Sequence, residues 1–106
     1  MSYRIRFHPA VAGDLDAIAG WIVEHAGPEA AERRLAEIEA VIATLRDTPH
    51  KGSIRDEIAP GLRAIPAGRR AVVAFFFVDD TAREELIHAV SYAGADWIAR
   101  STARRR

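Results

Sequence analysis

Ala71-Val72-Val73-Ala74-Phe75-Phe76-Phe77-Val78 is the longest unbroken apolar run in the chain. Eight residues fall far short of the ~18 that a bilayer-spanning helix needs. The run is rich in β-branched and aromatic residues, follows Arg69-Arg70 and stops at Asp79-Asp80, so Arg69–Val78 reads as a long strand. It is apolar at both parities. Val72, Ala74, Phe76 and Val78 point one way, and Ala71, Val73, Phe75 and Phe77 the other. A strand with one wet face would carry polar residues at every second position. Both faces of this strand therefore expect cover.

Two further strands lie around it. Leu62–Pro66 is a short strand joined to the long one by an Ala67-Gly68 turn, and Glu84–Tyr92 follows a turn at Asp79–Ala82. Tyr3-Arg4-Ile5-Arg6-Phe7 alternates cleanly as a half-buried first strand, stopped by His8-Pro9. From Ala10 the period changes. Val11, Leu15, Ile18 and Ile22 fall on one arc at about 100° per residue, which predicts an amphipathic helix. Gly27-Pro28 closes it and opens a second helix, whose stripe is Ala31, Leu35, Ile38, Ile42 and Leu45. On its wet side Glu29 and Arg33 stand in the favourable i,i+4 order, and Thr48-Pro49 ends it. Residues 50–61 are polar, with three Gly or Pro, and read as a loop. The order β-α-α-β-β-β predicts an α+β domain, an N-terminal helical hairpin packed on a small antiparallel sheet. One hairpin covers one face of such a sheet. The row containing Val73, Phe75 and Phe77 is accordingly expected to be open to a partner polypeptide.

The chain has 106 residues, a single-domain length. Fifteen basic residues balance fifteen acidic ones, which excludes a bulk nucleic-acid coat. The charges are segregated, however: residues 9–49 hold eight acids and three bases. With no cysteine there is no disulfide, thiolate metal site or thiol nucleophile. No apolar stretch follows Arg4 and Arg6, so a cytoplasmic location is expected. The four histidines lack metal-ligand spacing, and no glycine-rich phosphate loop or nucleophile elbow occurs, so neither a metal nor a cofactor is expected. Asp14 sits within the apolar arc of the first helix and needs a partner, for which an arginine from the sheet is the expectation. Arg63, Arg69 and Arg70 lie on or beside adjacent strands and offer forks for phosphate or carboxylate. Arg104–Arg106 reads as a solvated tail.

These features in this order resemble the toxins of the RelE/ParE superfamily. The resemblance rests on the alternating first strand with Pro9-Ala10, then Asp14-Leu15-x-x-Ile18. It continues through a second helix ending Leu45-x-x-x-Pro49, Gly52, the Leu62-Arg63 strand, Val72–Val78 with Asp79-Asp80, and Leu86–Tyr92. It covers about residues 3–97, with residues 1–97 expected to form one domain and 98–106 a basic C-terminal tail, and is closest to the ParE branch. That resemblance implies the toxin of a type II toxin–antitoxin module, a growth inhibitor acting on DNA gyrase and held inactive in a hetero-oligomer with a cognate ParD-like antitoxin. It implies no membrane partner and no sequence-specific nucleic-acid binding by the toxin alone. RelE-type relatives are instead ribosome-dependent mRNA endoribonucleases, which use basic sheet residues and a C-terminal arginine, tyrosine or histidine. Here Ala93-Gly94-Ala95 stands where such a group is expected and Lys51 is the only lysine, which favours a protein inhibitor over a nuclease. A toxin fold that serves mainly as a binding partner is the third reading. The candidate target-binding residues are Arg63, Arg69, Arg70, Tyr92 and Trp97, and the candidate antitoxin-binding residues are Trp21, Val73, Phe75 and Phe77.

Overall fold

The computed structural model describes residues 3–79, 81, 83–92, 98, 103 and 104, with backbone alone for 77–79. Seven elements follow in order: β1 (Arg4–Phe7), α1 (Val11–Ala26), α2 (Pro28–Thr44), β2 (Ser53–Ile54), β3 (Leu62–Ala67), β4 (Ala71–Asp79) and β5 (Glu84–Tyr92). The start of α1 has no side-chain cap of its own; the His8 imidazole Nδ1 accepts the Ala10 N–H at 3.0 Å instead. Gly27, at φ +90°, turns the chain between the helices, and Pro28 opens α2 where its missing N–H costs nothing. The α+β class and the order of helices and main strands agree with the sequence reading.

The sheet has five strands in the order β1-β5-β4-β3-β2. It is mixed rather than wholly antiparallel, because β1 pairs parallel with β5, Arg4 opposite Glu84 and Phe7 opposite Ile87. The added strand, β2, lies inside the segment expected to be loop and pairs antiparallel with β3. Gly52 makes that pairing possible. Its φ is +88°, and a Cβ there would stand 2.7 Å from the Ala64 carbonyl oxygen.

The helical hairpin covers one face. Val11, Ile18 and Ile22 of α1 and Ala31, Ile38 and Ile42 of α2 meet Val73, Phe75, Ile87 and Val90 in the principal core. Val73 and Phe75 are therefore fully buried beneath the hairpin, which corrects the expectation that their row is open to an antitoxin. The side chain of Phe77 lies outside the described residues, and so does Trp97. The opposite row is covered as well. Residues 55–61 fold back so that Ala59 and Ile58 pack on Leu62, Ala74, Phe76 and Ala89. Asp56 ties this segment by accepting the Gly61 N–H at 2.9 Å. The two apolar parities of β4 thus serve two internal layers.

A bulge in β5 sets which side chains enter each layer. Ala74 faces Ala89 whereas Phe75 faces Ile87, so His88 is the extra residue. Ile87 and Val90, three apart, consequently both enter the hairpin-side core.

Candidate functional site

The arginines of the β3–β4 turn converge on the helical hairpin. A cleft of about 680 Å³ opens between the last turns of α1, the first turns of α2, the β3–β4 turn and the end of β5. Its basic wall is Arg33 and Arg34 of α2 together with Arg69 and Arg70 of the turn. Gly68, at φ +72°, lets the turn close over α2: a Cβ there would meet the Glu37 carboxylate oxygen at 2.6 Å. Arg34 donates to both Glu37 oxygens at 3.1 Å, and this contact holds its guanidinium above the ordinary arginine range. The Glu29–Arg33 pair expected from spacing does not form among the described residues, where the α2 pairing is Arg34 with Glu37 at i,i+3. Arg33, Arg69 and Arg70 form no ion pair with any described residue.

The other wall is aromatic. His25 stacks on Trp21 with centroids 4.1 Å apart and planes 19° from parallel. Its Nδ1–H donates to the Trp21 carbonyl at 2.7 Å, since a carbonyl only accepts, and this fixes the ring. Tyr92 lies 5.8 Å from Trp21 in a tilted arrangement. Trp21 remains 40% exposed. Of the sequence candidates, Arg69, Arg70, Tyr92 and Trp21 thus come together. Arg63 does not join them; it donates to the His50 carbonyl at 2.9 Å.

Two buried carboxylates lie elsewhere. Asp14 is gripped by both terminal nitrogens of Arg104 at 2.6 Å and accepts the Val90 N–H at 3.0 Å. Arg104 also donates to the His88 carbonyl at 3.1 Å. The last backbone bond between the β1 end and β5 runs from His8 N–H to the Ile87 carbonyl. Beyond it, Asp14 and Arg104 take the place of the missing strand along β5. The expected partner of Asp14 is indeed an arginine, but it comes from the C-terminal segment rather than the sheet. Arg104 is accordingly no solvated tail residue: its side chain is 15% exposed, and Asp14 raises its affinity for the proton.

Glu85 escaped sequence reasoning. It is fully buried on the hairpin side of β5, and neither carboxylate oxygen has a hydrogen-bond partner among the described residues. Desolvation pushes its pKa up to about 7, against the opposing charge of Arg63. The one available signal was its parity: two before Ile87 on an alternating strand, it had to face the same layer. Among the described residues no three His, Asp or Glu side chains converge as a metal site requires, and no helix is long and apolar enough to cross a membrane.

The fold is thus a helical hairpin laid on a small mixed sheet, with a basic, ring-lined cleft beside the Gly27 turn that joins the two helices. The profile of the ParE toxin of type II toxin–antitoxin systems (parDE) matches residues 5–97, and the chain belongs to that family. Among solved structures, it is similar to the chromosomal ParDE system of P. aeruginosa at 24% identity and TM-score 0.73, covering 87% of this chain and 97% of that one. A double mutant of the E. coli toxin RelE in its free state superposes with TM-score 0.65 at 13% identity, over 99% and 98% of the two chains. The RelBE2 toxin–antitoxin complex of Mycobacterium tuberculosis gives 0.58 at 19%, over 87% and 99%. No curated protein matches the chain significantly.

Proposed function

We propose that this chain inhibits growth by binding DNA gyrase, with no catalytic step of its own, and that a ParD-like antitoxin neutralises it. The observation that carries the reading is the family match along nearly the whole chain. The cleft supplies the contact chemistry: Arg69 and Arg70 are exposed on a turn, unpaired among the described residues, beside Tyr92. Arg63 instead donates to the His50 carbonyl, thirteen residues earlier in the chain, and acts in the fold. For the antitoxin, α1 offers a second apolar stripe that borders the core arc and shares Leu15 with it. Ala12, Leu15, Ala19 and Val23 fall within about 80° of one another on a helical wheel. Phe7 extends the row, lining a groove with Val11, Ala12 and Leu15. Phe7 is 51% and Val23 44% exposed, which suits an amphipathic antitoxin segment laid along this flank.

The test is a gyrase supercoiling assay with the purified chain, run beside ribosome-dependent mRNA cleavage. Inhibition of supercoiling, weakened by Arg69→Ala with Arg70→Ala and relieved by antitoxin, is the expected result. Specific cleavage of ribosome-bound message without any effect on supercoiling would replace this reading with the endoribonuclease one.

A further inference from the structure

The cleft beneath the hairpin carries two kinds of recognition chemistry at once. Its cations come from two segments, Arg33 and Arg34 on α2 and Arg69 and Arg70 on the β3–β4 turn. Among the described residues the only carboxylate bonded within this group, Glu37, is spent on Arg34. The other three guanidinium groups remain unpaired among the described residues. Like charges gathered around one cleft repel, so the arrangement is relieved by an anion among them. The guanidinium fork matches phosphate oxygens in particular.

Charge alone does not account for the aromatic wall. Trp21, His25 and Tyr92 form a continuous group of rings. Trp21 keeps 40% of its surface exposed although indole gains much by burial. Its ring is fixed by the stacked His25, itself held by the hydrogen bond to the Trp21 carbonyl. An acidic peptide or a bare anion would satisfy the arginines and leave these rings unused. A planar heterocycle attached to a phosphate uses both walls, through stacking on one and charge-assisted bonds on the other. The volume, about 680 Å³, falls among those of small-molecule sites.

We infer that this cleft binds a nucleoside phosphate, free or within a single-stranded nucleic acid. The phosphate lies among Arg33, Arg69 and Arg70, and the base lies against the Trp21–His25–Tyr92 wall. Recognition is of phosphate and ring, with no reading of sequence. The inference concerns the chain alone and does not depend on gyrase as target.

The experiment is calorimetric titration of the full-length chain, free of antitoxin, with five probes. These are ATP, adenosine, tripolyphosphate, a single-stranded DNA hexamer and an acidic hexapeptide. ATP or the hexamer is expected to bind at least about tenfold more tightly than adenosine, tripolyphosphate or the peptide. The tighter of the two identifies the free or the polymeric form as the natural ligand. Arg33→Ala and Arg69→Ala, both at exposed positions, should each weaken that binding on the order of tenfold. Trp21→Leu should weaken it while leaving the affinity for tripolyphosphate unchanged. Arg46→Ala, exposed and outside the cleft, should change nothing. Circular dichroism melts verify that each variant folds. No binding of ATP or hexamer overturns the inference, as does equal affinity for tripolyphosphate or for the acidic peptide. An equal loss in Arg46→Ala would reduce the effect to general electrostatics and overturn it too.

Discussion

Glu85→Gln should stabilise this protein at neutral pH and do nothing at pH 4.5. The Glu85 carboxyl is sealed from water with both oxygens unbonded, and burial raises its pKa from 4.5 to about 7. The unfolded chain, lacking that environment, titrates near 4.5. Below pH 4.5 the group is protonated in both states, and its contribution to stability is fully present. Between about 4.5 and 7 the folded state holds the proton while the unfolded state releases it, so stability falls as pH rises. Above 7 the loss levels off. At about 1.4 kcal/mol per pH unit, the span corresponds to roughly 3 kcal/mol. The glutamine variant cannot titrate there and keeps a similar shape. The two proteins should therefore match at pH 4.5 and differ by roughly 3 kcal/mol at pH 8, a melting difference above about 10 °C for a domain of this size. Urea unfolding followed by circular dichroism from pH 4.5 to 8 measures it. Parallel pH profiles for the two proteins would refute the reasoning, because the titrating group would then lie elsewhere. Arg63→Met, which removes the charge that holds the Glu85 pKa down, should extend the loss of stability to higher pH at the same slope.

Arg104→Ala should cost about 3 kcal/mol, since it leaves the Asp14 carboxylate buried without its cation. The loss should largely vanish in the Asp14→Ala background, and an additive double-mutant cycle in denaturant would show that the pair is not coupled. Gly52→Ala should cost about 2 kcal/mol, through both the positive φ and the approach to the Ala64 carbonyl, and a change within 0.5 kcal/mol in the unfolding midpoint would contradict it. Phe7→Arg and Val23→Arg, at exposed positions, should abolish antitoxin capture in a pull-down while shifting stability by less than about 0.5 kcal/mol. Undiminished capture would move the antitoxin off the α1 flank.

The sequence by itself determined the elements and most of their inward faces. A period near 3.6 in Val11–Ile22 and Ala31–Leu45, interrupted by Gly27-Pro28, dictates two antiparallel helices. Alternation at Tyr3–Phe7 and the β-rich runs after Leu62 dictate strands. These are local consequences of where Cβ atoms point. Asp14 was legible for the same reason, a carboxylate in an apolar arc. The tertiary structure decided everything that depends on which distant segment arrives. Because β4 is apolar at both parities, the pattern could not say which row lies under the hairpin, and Val73 and Phe75 proved to be the covered ones. The fold-back of residues 55–61 then covered the other row with apolar groups that a polar-looking loop had hidden. Pairing of β1 with β5 spans 80 residues between Arg4 and Glu84, and no local propensity encodes it. One bulged residue, His88, sets the spacing of Ile87 and Val90 against a strict period of two. The cleft is the same case: Arg33, Arg70, Trp21 and Tyr92 sit on four elements, and only packing the hairpin on the sheet brings their charges and rings to one place.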